Sequence, residues 1–224
     1  MLNSQLLAAR GYAVLIPSMP LGPADEPSEP SQALADGVLP AIDALVEAGI
    51  ADPDRLALMG HSFGGYATYG LITQTQRFRA AVALAGLADL VSLHGQFDAR
   101  HRYDAYGHEH CAPMFLTESK PLRMDVPPWR DAERYVRNSP LFAADRVQTP
   151  LLIIQGDMDY VPLQQGEQFF NALYREGKRA RFVRYWGEGH IIQSPANIRD
   201  MSQQIYGWFD EFLSPAAGSD EGAG

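Results

Sequence analysis

A serine hydroxyl becomes a nucleophile only when a base takes its proton and a third group orients that base. The stretch Gly60-His-Ser-Phe-Gly-Gly65 places Ser62 between the apolar run Leu56–Met59 and a helix-forming segment that reaches about Gln74. A strand-to-helix turn at this point strains the serine and exposes its hydroxyl, and the flanking glycines let strand and helix approach closely. The helix N-terminus favours negative charge developing there, and the N–H of Phe63 is one candidate oxyanion donor. An isolated G-x-S-x-G is most often a structural glycine turn. Its placement between a strand and a helix is what gives this one a chemical reading.

Two further stretches hold the other partners. "QGDMDYVP" follows an apolar run that ends at Gln155, and "GEGH" follows an alternating run that ends at Trp186. The order serine, acid, histidine is that of the strand–elbow–helix hydrolases. Each candidate also falls in a loop at the carboxyl end of a strand, where open α/β sheets build their sites. His190 is the only histidine in a short loop after a late strand; His61 lies in the elbow, and His94, His101, His108 and His110 lie in a long connection. Asp157 and Asp159 compete as the acid, and the residues alone leave both open.

The elements that must position these groups alternate. Tyr12–Ile16 reads as a buried strand closed by Pro17, and the proline-rich stretch from Ser18 to Pro30 reads as loop. Leu34, Val38, Ile42, Leu45 and Val46 form one helical face, with Pro40 implying a kink or a late helix start. Strands are expected at 56–59, 80–84, 150–155 and 181–186, with helices at 65–74, 164–176 and 194–213. Gly177 suits a helix C-terminus, and Ser194-Pro195 suits an N-cap followed by the first helical residue. Strands separated by helices imply a parallel sheet covered on both faces.

With 224 residues, 46% of them hydrophobic, the chain is large enough for one domain with a sizeable core. A net charge of −9 argues against nucleic acid or an anionic membrane as partner. The single cysteine, Cys111, excludes an internal disulfide framework. No apolar run approaches the roughly 20 residues of a membrane span, and no secretory signal is readable at the N-terminus. "HEHC" at 108–111 crowds its ligands without a partner pair elsewhere, which fits a polar loop better than a metal site.

Three longer stretches carry a family resemblance: "DRLALMGHSFGGYAT", "SPLFAADRVQTPLLIIQGDMDYVPLQQGEQFFNALYREGK" and "RYWGEGHII". Together they resemble the catalytic domain of the prolyl oligopeptidase family of serine peptidases, over most of residues 5–213. The resemblance implies an α/β-hydrolase fold and cleavage of small peptides without a cofactor. It also implies a triad of Ser62, Asp159 and His190 with Phe63 at the oxyanion hole. In that family the acid stands three residues after the glycine that ends its strand, which selects Asp159 and leaves Asp157 as a loop-capping carboxylate. Residues 92–149 read as a functional insertion. Its aromatic residues Phe97, Tyr103, Tyr106, Phe115, Trp129 and Tyr135 are candidate pocket walls, with Tyr66 beside the elbow; Trp129 and Tyr135 read equally well as core.

The resemblance carries departures as well. "MLNSQLLAARGYAVLIP" matches the helix before the fourth strand of the hydrolase sheet, so a domain of residues 1–213 is expected to lack the first strands. A C-terminal fragment or a mis-called start codon is favoured over a shortened paralogue, with 214–224 as a disordered tail. The loop after the third strand, which supplies a second oxyanion donor, would then be missing. Where some members hold a substrate carbonyl with Arg or Asn, this chain has Val161. The partners expected are a peptide substrate and either a second copy of the chain or an upstream propeller in a longer chain. An esterase on the same fold and a non-catalytic module are the alternative readings.

Overall fold

The computed structural model describes residues 4–19, 22, 23, 25–96 and 113–214. Four parallel strands form one sheet in the order of the chain: β1 (Ala57–His61), β2 (Ala80–Leu84), β3 (Leu151–Gly156) and β4 (Ala180–Tyr185). Among the described residues the helices are α1 (Ser4–Ala8), α2 (Leu34–Glu47), α3 (Phe63–Gln74), α4 (Leu90–His94), α5 (Pro113–Glu118), α6 (Ala132–Arg137), α7 (Leu163–Arg175) and α8 (Pro195–Leu213). A 3₁₀ helix spans Pro140–Arg146. Among the described residues no helix is long and apolar enough to cross a membrane.

The two faces of the sheet follow from side chains alternating along each strand. Ala80, Val82, Leu84, Leu152 and Ile154 point to one face and pack on Met201, Ile205, Trp208 and Phe209 of α8. Their neighbours Ala81, Ala83, Leu151 and Ile153 point to the other, against Tyr69 and Ile72 of α3 and Phe169 and Leu173 of α7. β2 and β3 are therefore apolar at nearly every position, as strands covered on both sides must be. Helix α3 is buried from Gly65 through Ile72, because the sheet covers one side and α2 packs through Leu34 and Val38 on Ala67 and Leu71.

The structure corrects several sequence expectations. Tyr12–Ile16 is not a strand: Tyr12 packs against Phe209 with ring centroids 6.0 Å apart, and Ile16 is 84% exposed. An apolar run becomes a strand only where a neighbour accepts its backbone hydrogen bonds. Between this segment and β1 lies a groove of about 340 Å³ whose lining includes Leu7, Val14, Met59 and Phe209. Helix α2 starts at Leu34 and runs through Pro40. Helix α3 starts at Phe63, two residues earlier than the glycines suggested. The connection after β2 contains α4, α5, α6 and the 3₁₀ helix.

Ser194 stands at the N-cap of α8, but its side chain makes no capping bond. The buried Glu188 instead anchors the turn that enters α8, accepting the N–H groups of Gln193 (2.7 Å) and Ser194 (3.0 Å) and the Asn197 side-chain amide (2.7 Å). Burial pushes the Glu188 carboxyl up, yet the hydrogen bonds from Gln193, Asn197 and Ser194 outweigh it and hold the group below its ordinary value. A carboxyl lowered in this way adds stability above its unfolded pKa, and that stability is lost as pH falls through the folded one. We expect Glu188→Ala to melt more than about 4 °C below wild type at pH 7. The gap should close as pH drops below the ordinary 4.5, in melts run from pH 7 to pH 3. A gap that does not change with pH contradicts this assignment.

Glycine at the elbow is needed unequally. A Cβ at Gly60 would lie 2.1 Å from the Gly64 carbonyl oxygen, and one at Gly65 would lie 2.7 Å from that of Leu84. A Cβ at Gly64 meets nothing within 4 Å. Gly60→Ala and Gly65→Ala should each cost about 3 kcal/mol or more in denaturant unfolding, the upper range for overpacking. Gly64→Ala should stay within ~1 kcal/mol of wild type. Equal losses at all three positions would contradict this reading.

Candidate active site

Ser62 follows the last residue of β1 with φ 60° and ψ −119°. A non-glycine residue in this region stores about 1–3 kcal/mol and persists only where its surroundings over-determine it. Here the Ser62 N–H donates to the Leu84 carbonyl at 2.9 Å, and the Ser62 carbonyl accepts the Tyr66 N–H at 3.0 Å. The backbone is thus tied to β2 on one side and to α3 on the other. Phe63 is the first residue of α3, and its N–H belongs to the first turn, which has no acceptor within the helix.

The other two groups arrive from the ends of β3 and β4. His190 Nε2 lies 2.9 Å from Ser62 Oγ, and His190 Nδ1 lies 2.8 Å from Asp159 Oδ1. The Asp159 side chain is fully buried, that of His190 is 14% exposed, and the same Oδ1 accepts the Val161 N–H at 2.8 Å. A carboxylate only accepts, so Nδ1 carries the imidazole proton and Nε2 is left to accept the serine hydroxyl's. This is the tautomer that general-base chemistry at a serine requires. Asp157 turns away and accepts the Gly187 N–H at 2.6 Å, holding the turn after β4.

Two rings flank the imidazole, and neither was given a part in the chemistry by the sequence reading. Tyr160 lies 4.3 Å from the His190 ring centroid, and His61 lies 4.6 Å from it. His61 Nε2 is also 2.7 Å from the backbone oxygen of His190. No spacing rule could have revealed this contact, since it joins residues 129 apart.

The pocket expectation changes with burial. Tyr66 and Tyr135 have no exposed surface and sit in a cluster with Leu90, Leu93, Leu122 and Met124. Their hydroxyls donate to the carbonyls of Asn138 (2.7 Å) and Val126 (2.9 Å), so both are core residues with satisfied polar tips. Trp129 is 77% exposed and meets the His94 ring edge-on at 5.3 Å. Of the other aromatic candidates, Phe97, Tyr103 and Tyr106 lie outside the described residues, as does "HEHC". Among the described residues no His, Cys, Asp and Glu side chains group as a metal site would require.

Comparison with known proteins identifies the family. The sequence profile of the prolyl oligopeptidase family matches residues 28–216. The chain is 32% identical over 222 residues to the uncharacterized peptidase YuxL of Bacillus subtilis, covering 93% of this chain and 31% of that protein. It is 30% identical to the acylamino-acid-releasing enzyme of Arabidopsis thaliana, covering 81% of this chain and 23% of the relative. Among solved structures it resembles a Mycobacterium tuberculosis puromycin-hydrolyzing peptidase, with TM-score 0.71 and 29% identity over 83% of this chain and 26% of the other. The uncomplexed acylaminoacyl peptidase of Pyrococcus horikoshii gives TM-score 0.68 and 25% identity over 84% and 29%. The chain thus spans about a third or less of the length of these relatives. Profile, relatives and fold agree: this chain belongs to the prolyl oligopeptidase family, on an α/β-hydrolase fold.

Proposed function

We propose that residues 1–213 act as the catalytic domain of a serine peptidase that cleaves short peptides through an acyl-enzyme, with Ser62, His190 and Asp159 as its triad. The observation that carries this reading is the hydrogen-bonded relay from Ser62 Oγ through both nitrogens of His190 to Asp159 Oδ1, at 2.9 and 2.8 Å. Ser62 Oγ attacks the scissile carbonyl carbon as His190 Nε2 takes the hydroxyl proton. Asp159 holds the imidazole and stabilises the imidazolium that forms. The oxyanion takes the Phe63 N–H at the start of α3, where the helix dipole favours negative charge. His190 then delivers its proton to the leaving amine, and the C–N bond breaks. Water, deprotonated by His190, attacks the ester and releases Ser62.

Short amide substrates fit the names of its relatives, which include acylamino-acid-releasing and puromycin-hydrolyzing enzymes. The test is turnover of an acyl-peptide p-nitroanilide beside the matching p-nitrophenyl ester. We expect both to be cleaved, with Ser62→Ala and His190→Ala each losing about 10⁴-fold or more in kcat and Asp159→Asn losing a similar factor. Ester cleavage without anilide cleavage would make the chain an esterase. Turnover that survives in Ser62→Ala would remove the nucleophile assignment altogether.

A further inference from the structure

His61 closes a ring around the reacting groups. It is joined to Ser62 by a peptide bond, Ser62 Oγ pairs with His190 Nε2 at 2.9 Å, and the His190 backbone oxygen returns to His61 Nε2 at 2.7 Å. A carbonyl only accepts, so His61 Nε2 carries a proton and donates it. The strand that presents the nucleophile therefore grips the loop that presents the base, through one side chain adjacent to the nucleophile. The His61 ring also tilts against the His190 ring at 51°, with Tyr160 a further 4.3 Å neighbour of the same imidazole.

We propose that His61 is a positioning residue for the reaction: its Nε2–H, held on the His190 carbonyl, sets the distance between base and nucleophile. This inference rests on the reading of Ser62 and His190 as nucleophile and base. Asp159 already fixes the imidazole at Nδ1, but that bond leaves the ring free to swing with its loop. The His61 bond fixes the backbone from which the ring hangs. A shift of about 1 Å in such a pair is enough to cost roughly 10²-fold in rate.

The environment keeps His61 uncharged. Burial lowers its pKa first, and the nearby His190 lowers it further; the bond to the His190 carbonyl and the Asp159 charge raise it, with a net shift downward. The ring is thus neutral at neutral pH and places no second positive charge beside the imidazolium that forms on His190 during the reaction.

The test separates the donor from the ring. His61→Phe keeps an aromatic ring without a donor, His61→Leu keeps bulk alone, and His61→Gln restores an N–H near the position of Nε2. Two readouts are taken on each folded variant: kcat and KM for a p-nitrophenyl ester, and the far-downfield proton resonance of His190 Nδ1–H, assigned by its loss in His190→Ala. We expect His61→Phe and His61→Leu to lose about 10- to 100-fold in kcat, with KM within about twofold, and their Nδ1–H signal to broaden through exchange with water. His61→Gln should recover most of both. Phe and Leu variants that match wild type in kcat and in the resonance would overturn the proposal, as would a wild-type chain that shows no such resonance. A resonance that depends on the residue at position 61, in a chain that turns over no substrate, would support the positioning role while removing the peptidase reading.

Discussion

The 2.9 Å hydrogen bond between Ser62 and His190 joins residues 128 apart in sequence, at the two outer strands of the sheet. Strand spacing puts the ends of β1 and β4 about 14 Å apart, three separations of nearly 5 Å. A side chain cannot span that distance. The loop after β4 has to fold back over the ends of β3 and β2, and most of the local structure at this edge serves that crossing.

The crossing explains features that look unrelated in the sequence. A Cβ at Gly156 would sit 2.2 Å from the Glu188 carbonyl oxygen, so glycine ends β3 because the returning loop passes over it. The Met158 N–H donates to that same carbonyl at 2.9 Å, stitching the loop of Asp159 to the loop of His190. Asp157 and the Glu188 carboxylate fasten the two ends of the returning segment, and His61 holds its middle. Ser62 is held for another reason: α3 is buried from Gly65 through Ile72, so the helix that follows it has little room to shift and relieve the strain.

Much of this order was legible beforehand. Ser62, Asp159 and His190 each stand just after a strand, so a parallel sheet brings them to one edge whatever its other details. β2 and β3 announced themselves as continuous apolar runs, since both faces are covered. What depends on three-dimensional partners was hidden. Tyr12–Ile16 has strand-like residues, but pairing is decided by a neighbour and not by the run itself. Ser194 stands at the N-cap of α8 as its position suggests, but the carboxylate that accepts its N–H comes from Glu188, six residues earlier. Tyr66 and Tyr135 are amphipathic enough for a pocket or a core, and only their burial, with acceptors for the hydroxyls at Asn138 and Val126, distinguishes the two.

The central claim is that this edge of the sheet holds one activated serine. A fluorophosphonate reagent tests it most directly, because it bonds covalently only to a serine whose proton is being taken. The account predicts a single adduct per folded chain, mapped by peptide mass spectrometry to Ser62. A cooperatively folded chain left unlabelled at Ser62, or labelled there no faster than at its other serines, would contradict it.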